Sequence, residues 1–152
     1  MRAFRFRLER VLQVRRLQED LQRRVLLEVQ RKLDDARVHL AELQEGFAEY
    51  LKRLRSYRSG KAGAYEVLSY ERYVDYLHMA LERQRQVVEG LEAQLEERRR
   101  ALQEAVRRRQ VLESLRERQE ESYRKYKNKV FQNFLDEVGA RNKASREDIC
   151  DI

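Results

Sequence analysis

Few side chains in this 152-residue chain are of the kind that make or break bonds, and those few stand alone. His39 and His78 have no cysteine or histidine partners at metal-ligand spacing, and no glycine-rich stretch could cradle a phosphate. Cys150, the lone cysteine, cannot close an intramolecular bridge and reads as an incidental thiol near the terminus, compatible with a reducing compartment. The many Glu/Lys and Glu/Arg neighbours are ordinary for helical surfaces. No catalytic residue, cofactor or metal is expected. What the residue types do offer is recognition, through clustered arginines that pair with acidic groups and through tyrosines that anchor protein interfaces.

Both recognition types are unevenly placed. Residues 2–32 carry ten basic against four acidic side chains, and residues 98–129 carry twelve against five. Residues 33–97 hold nine basic and thirteen acidic, and residues 130–152 three and five. Like charges side by side repel unless something acidic relieves them, so the basic segments call for an acidic partner. The aromatics gather elsewhere: Phe47, Tyr50, Tyr57, Tyr65, Tyr70, Tyr73 and Tyr76 fall in one short stretch of the chain. Tyr73 and Tyr76, beside Leu77 and Ala80, are off the main heptad positions and suit a protein-binding patch.

The element that must position these side chains is a helix with one interruption. With no proline and five glycines, nothing stops a helix except Ser59-Gly60-Lys61-Ala62-Gly63-Ala64. The composition, 40% charged and 41% hydrophobic without tryptophan, describes a rod with one buried seam rather than a deep core. The expected fold is all-α: two long helices in an antiparallel coiled-coil hairpin, with the second overhanging. It forms one domain over 1–138, with a helix over about 3–58, a turn at 59–64 and a helix over about 65–138. A glycine stop at Gly139 then gives a disordered tail over 139–152.

Heptad spacing supports this. In the second helix a seam steps through Val67, Tyr70, Val74, Leu77, Leu81, Gln84, Val88, Leu91, Leu95, Arg98, Leu102, Ala105, Arg109, Leu112, Arg116, Gln119, Tyr123, Tyr126 and Val130, a 3.5-residue repeat that implies left-handed supercoiling. The first helix answers with Leu26, Val29, Leu33, Ala36, Leu40, Leu43, Phe47, Tyr50, Leu54 and Tyr57. Upstream, Val14, Leu17, Leu21, Val25 and Val29 are spaced as a stutter. At 1.5 Å per residue the helices would be roughly 80 and 110 Å long. Position i then faces about position 123 minus i, and everything beyond about Gln119 lacks a partner within the chain. Tyr123, Tyr126, Val130, Phe131, Phe134, Leu135 and Val138 continue the apolar pattern there, as a docking or self-association face. The opening Met1 to Leu8 has no uninterrupted apolar run, so it reads as neither a secretory signal nor a membrane span, and the protein is expected in the cytoplasm.

The opening Phe4-Arg5-Phe6-Arg7-Leu8-Glu9-Arg10-Val11-Leu12 with Arg15-Arg16, the two-glycine turn, Tyr70-Glu71-Arg72-Tyr73-Val74-Asp75-Tyr76-Leu77, and Leu115-Arg116-Glu117-Arg118-Gln119-Glu120-Glu121-Ser122-Tyr123 together resemble the flagellar export FliJ family over nearly the whole chain. The resemblance implies a noncatalytic two-helix coiled coil similar to the stalk subunit of rotary ATPases. It implies a cytoplasmic component of the bacterial flagellar type III export apparatus, at the inner-membrane face and touching the membrane only through that apparatus. Its implied partners are the hexameric export ATPase FliI, the export gate protein FlhA and, for some members, export chaperones. The family's gate-binding stripes map to His39, Leu43, Gly46 and Tyr50 and to Tyr73, Leu77, Ala80 and Gln84. Gly46 stands where the pattern has an aromatic, His39 where it has a glutamine and Gln84 where it has a histidine.

The ATPase would meet the basic end, through Arg15, Arg16, Arg23, Arg24, Arg107, Arg108, Arg116, Arg118, Tyr123 and Tyr126. Two readings from other classes stand beside this one. The sequence pI of about 9.7 suits a nucleic-acid-binding coiled coil, though no recognised motif accompanies it. A homodimeric structural rod would ignore the glycine turn.

Overall fold

The computed structural model describes the backbone of residues 3–60 and 63–150. Two helices account for nearly all of it: α1, Glu9–Ser59, and α2, Ala64–Cys150. Lys61 and Ala62 of the expected turn, and Asp151 and Ile152 of the expected tail, lie outside the described residues.

Local chemistry sets the ends. The Gly60 N–H donates to the Tyr57 carbonyl at 3.3 Å and Ser59 Oγ donates to the Ser56 carbonyl at 3.0 Å, which closes the last turn of α1. The Gly63 carbonyl accepts from Glu66 and Val67 N–H groups at 3.1 and 3.2 Å and opens α2. Glu9 and Glu66 lie in first turns and Arg58 in a last turn, each of the sign the helix dipole favours.

Two ends differ from expectation. Helix α1 begins at Glu9 rather than near residue 3, because the preceding non-helical segment is committed to packing, with Phe6 buried. Helix α2 does not stop at Gly139 but continues to Cys150. A single glycine costs a helix only about 1 kcal/mol relative to alanine, and no proline follows to end it. The Glu137–Arg141 pair, 2.7 Å, spans the glycine and favours continuation.

The chain divides into two compact units, one of residues 18–105 and one of residues 1–17 with 106–152. In each, α1 and α2 run antiparallel and share a seam. The 18–105 unit is centred on Val29, Leu33, Ala36, Val88 and Leu95, with Leu26, Leu40 and Leu91 packed against them. Leu54, Val74, Leu77 and Leu81 are buried further toward the turn. The 1–17/106–152 unit buries Phe6 and Leu12, and the Phe4 and Tyr123 rings lie 5.7 Å apart. The N-terminal segment thereby covers α2 as far as Tyr123, which was expected to be uncovered. Beyond it, residues 124–142 are all exposed.

A heptad register governs both units. Arg16 pairs with Glu113 at 3.0 Å, Arg37 with Glu92 at 2.8 Å and Arg58 with Glu71; each pair of numbers sums to 129 and successive pairs step by 21 residues, three heptads. Equivalent flanking positions of an antiparallel coiled coil meet in this way. Other cross-helix contacts sum to values as low as 120, as in Gln84 with Ala36, so the expected 123 lies inside the observed spread.

The expected stutter is not used. Val14, Leu17 and Leu21 are exposed, while Leu12 and Glu19 are buried and Arg15 and Gln22 half-buried. Helix α1 keeps the heptad Leu12, Arg15, Glu19, Gln22, Leu26 and Val29, accepting polar side chains in the seam. Arg23 supplies a charge partner to Glu19 from one turn away, which lowers the cost of burying its carboxylate.

Candidate partner-docking surfaces

The seam residues near the turn hold one another through aromatic contacts. Tyr50 lies 4.5 Å from Tyr73 and 6.1 Å from Tyr70, Tyr57 lies 4.7 Å from Tyr70, and Phe47 lies 5.9 Å from His78. The Tyr70 hydroxyl, hydrogen-bonded to Tyr57, pushes the Tyr57 phenol above its ordinary range. The Arg53 guanidinium sits 5.5 Å over the Tyr50 ring, a cation–π arrangement that keeps the ring in place.

The residues expected to meet the gate divide by burial. Leu77 is buried, and Gln84 donates its side-chain N–H to the Ala36 carbonyl at 2.9 Å, so both serve the hairpin. Leu43, Gly46, Tyr50 and Ala80 are half-buried along the seam margin. His39 is exposed and lies 3.7 Å from Glu42. Tyr73 is exposed and stacks on exposed Tyr76 at 6.1 Å. Sequence reasoning placed these two and Tyr65 in one aromatic cluster but missed Leu68 and Met79. Tyr65, Leu68 and Met79 are also exposed, and with Tyr76 they step along the outer face of α2. Their signal was present, as apolar residues two or three positions off the seam.

The arginines expected to meet an ATPase fall in both units. Arg23 and Arg24 belong to the 18–105 unit, where Arg23 holds Glu19 and lies 3.8 Å from Asp20, and Arg24 is exposed. In the 1–17/106–152 unit, Arg16 and Arg109 converge on Glu113, and Arg116 reaches Glu9 at 3.5 Å. The hydrogen bond from Arg16, helped by the charge of Arg109, holds the Glu113 carboxyl below its ordinary 4.5. Arg15 is half-buried in the seam and Arg108 is exposed.

Arg107 and Arg118 are differently placed. They bracket an open groove of about 600 Å³ along one face of α2, lined also by Gln110, Val111, Ser114 and Leu115. Tyr123 is half-buried against Phe4, and Tyr126 is exposed. Two further concavities lie at the same end, one lined by Ala3, Phe4, Arg5 and Tyr123 and the other by Phe4, Arg5, Phe6, Glu9 and Arg116. Apolar floors rimmed by arginine suit the docking of protein with acidic groups, not the activation of a nucleophile. Among the described residues no group of side chains could hold a metal ion, and no helix is long and apolar enough to cross a membrane.

By class the fold is an all-α helical hairpin, with tyrosine and arginine surfaces left outward. The model of the flagellar FliJ protein family matches residues 4–148, nearly the whole chain, and the chain belongs to that family. It is thus a component of the flagellar export apparatus. No curated protein and no solved structure matches it.

Proposed function

We propose that this protein is a noncatalytic coupling stalk of the bacterial flagellar type III export apparatus. It binds and stimulates the hexameric ATPase FliI and contacts the gate protein FlhA at the cytoplasmic face of the inner membrane. The gate surface is the exposed Tyr73 with the margins of Leu43, Tyr50 and Ala80, while Leu77 and Gln84 support it from the seam. The ATPase surface is the arginine-rich face of the 1–17/106–152 unit, on which Arg107, Arg118 and Tyr126 are exposed. Export chaperones are a further class of partner on the same grounds.

The observation that carries the reading is the exposed Tyr73–Tyr76 stack at the margin of the seam, where Tyr73 rests on Tyr50 and still shows much of its ring to solvent. Large aromatics left in solvent on a rigid helix are what interface anchors look like. The test is export-ATPase turnover with and without this protein, together with binding to the cytoplasmic part of the gate. Stimulation of turnover and saturable gate binding are expected; an inert mixture in both assays would overturn the reading. The basic pI of about 9.7 makes weak salt-sensitive nucleic-acid binding an expected side property, distinct from this function.

A further inference from the structure

In the 1–17/106–152 unit Arg16 meets Glu113 on one flank of the seam. Each follows a seam residue by one position, Arg15 and Leu112. Residues that instead precede a seam residue, Val11 before Leu12 and Leu115 before Arg116, are set opposite one another on the other flank of an antiparallel coiled coil. Val14 and Leu17 continue that flank on the turns after Val11, and Val111 on the turn before Leu115. All five are exposed, Leu17 and Val111 by 68%. An aliphatic strip carried by both helices is thereby left outside the seam.

Charge is sorted between the two flanks. Arg10, Arg107, Arg108 and Arg118 are exposed on the aliphatic flank, and no residue of that flank over 10–17 or 107–118 is acidic. Glu9 and Glu113 lie on the first flank, where they meet Arg116 and Arg16. Arg107 and Arg118 also bracket the groove whose floor holds Val111 and Leu115. We propose that the aliphatic flank docks an amphipathic helix of another protein, one whose apolar stripe is bordered by carboxylates, as a third helix beside α1 and α2. The stripe lies along Val11, Val14, Val111 and Leu115, and the carboxylates meet the arginine forks, whose paired N–H groups match them. The proposal rests on the reading of this unit's arginine-rich face as a protein-docking surface, and it names what docks there. A second copy packed by the same flank would set arginine against arginine. A lipid surface is disfavoured as well, because none of the five apolar residues is aromatic, where interfacial helices place tryptophan and phenylalanine.

The probe is a peptide of about three heptads with leucine at the seam positions and glutamate at the flanking ones, which its own charges keep from pairing with itself. Titrated into the full chain at physiological salt and followed by anisotropy and far-UV circular dichroism, it should bind saturably and gain helix. A counterpart flanked by lysine should bind at least tenfold more weakly. Val111→Asp should weaken the glutamate peptide at least tenfold with an unchanged thermal midpoint, and Arg107→Glu with Arg118→Glu should remove the preference for glutamate over lysine. A peptide that does not bind, or that binds all these variants alike, would overturn the proposal. Co-sedimentation of the chain with phosphatidylserine-containing vesicles, lost in Val111→Asp and without peptide binding, would do so too and assign the flank to membrane. Export-ATPase turnover tests the underlying reading separately: variants that lose the peptide yet stimulate turnover like wild type would keep the helix site and give it to a partner other than the ATPase.

Discussion

At the residue scale, neighbours on one turn of α2 have opposite tasks. Leu77 is sealed in the seam while Tyr73, one turn earlier, shows much of its ring to solvent. Truncating a buried leucine removes apolar burial and leaves a cavity, at a cost of about 2–5 kcal/mol. Truncating an exposed anchor costs binding, commonly about 2 kcal/mol or more, and little stability. Tyr73→Ala combined with Ala80→Glu should therefore abolish gate binding and motility while thermal midpoint and ATPase association stay near wild type. Leu77→Ala should lower the midpoint by many degrees. Calorimetry beside gate pull-down separates the two; a double variant that unfolds would move Tyr73 and Ala80 into the core.

Glu113 gives a second residue-scale test. Its carboxyl is held below the ordinary 4.5 by Arg16 first, with Arg109 adding charge attraction, while partial burial works in the opposite direction. A depressed folded-state pKa means that the ionised form is favoured by folding, so its stabilisation is complete above the unfolded value and is lost as pH falls through the folded one. Glu113→Gln should thus lower the urea midpoint at neutral pH, and the gap from wild type should close as the pH is taken below about 4. A gap that persists in acid would mean that the pair with Arg16 contributes by packing and not by charge.

At the scale of the element, the two helices were unequally legible. From Leu26 to Tyr57 and from Val67 to Leu95 the seam could be read largely from leucine, valine and tyrosine spacing, because there the heptad positions, Gln84 apart, are mostly apolar. Apolarity and heptad position part company before Leu26. Val14, Leu17 and Leu21 are apolar but outward, and Arg15, Glu19 and Gln22 are polar but inward, since a helix already committed to one register keeps it at the cost of a few mismatched side chains. The covering of Tyr123 by Phe4 was illegible for another reason, as it depends on a non-helical segment with no period to follow. At the candidate site, the exposed tyrosines were visible as off-heptad residues, whereas the use of Gln84 to satisfy a carbonyl on α1 had no sequence signal. The register is testable. Leu17→Lys and Leu21→Lys should each change stability by no more than about 0.5 kcal/mol, as exposed substitutions do. Leu33→Ala, at a fully buried position, should cost about 2–5 kcal/mol. Large losses at Leu17 and Leu21 would restore the stuttered seam.

At the scale of the whole molecule, the excess of seven positive charges has to be assigned to a use. Much of the arginine is already engaged: Arg16, Arg37, Arg58 and Arg116 hold glutamates across the seam, and Arg23 holds one on its own helix. Exposed arginine also stands beside apolar surface, at Arg107 and Arg118 flanking Val111 and Leu115, and Tyr126 is exposed in the same unit. The two main functional classes use such a surface differently. Nucleic acid binds through counterion release, so affinity falls steeply with salt and is indifferent to a helix-face aromatic. Docking on a protein depends on charge and apolar area together. Tyr123→Ala with Tyr126→Ala should therefore weaken ATPase association several-fold at physiological salt while leaving any weak DNA affinity unchanged, and Arg107→Glu with Arg118→Glu should weaken both. Because Tyr123 packs on Phe4, a Tyr126→Ala single variant guards against a merely structural loss and should retain the wild-type thermal midpoint. Tight duplex binding that survives physiological salt, with export-ATPase turnover unmoved by any of these variants, would reassign the basic surface to nucleic acid.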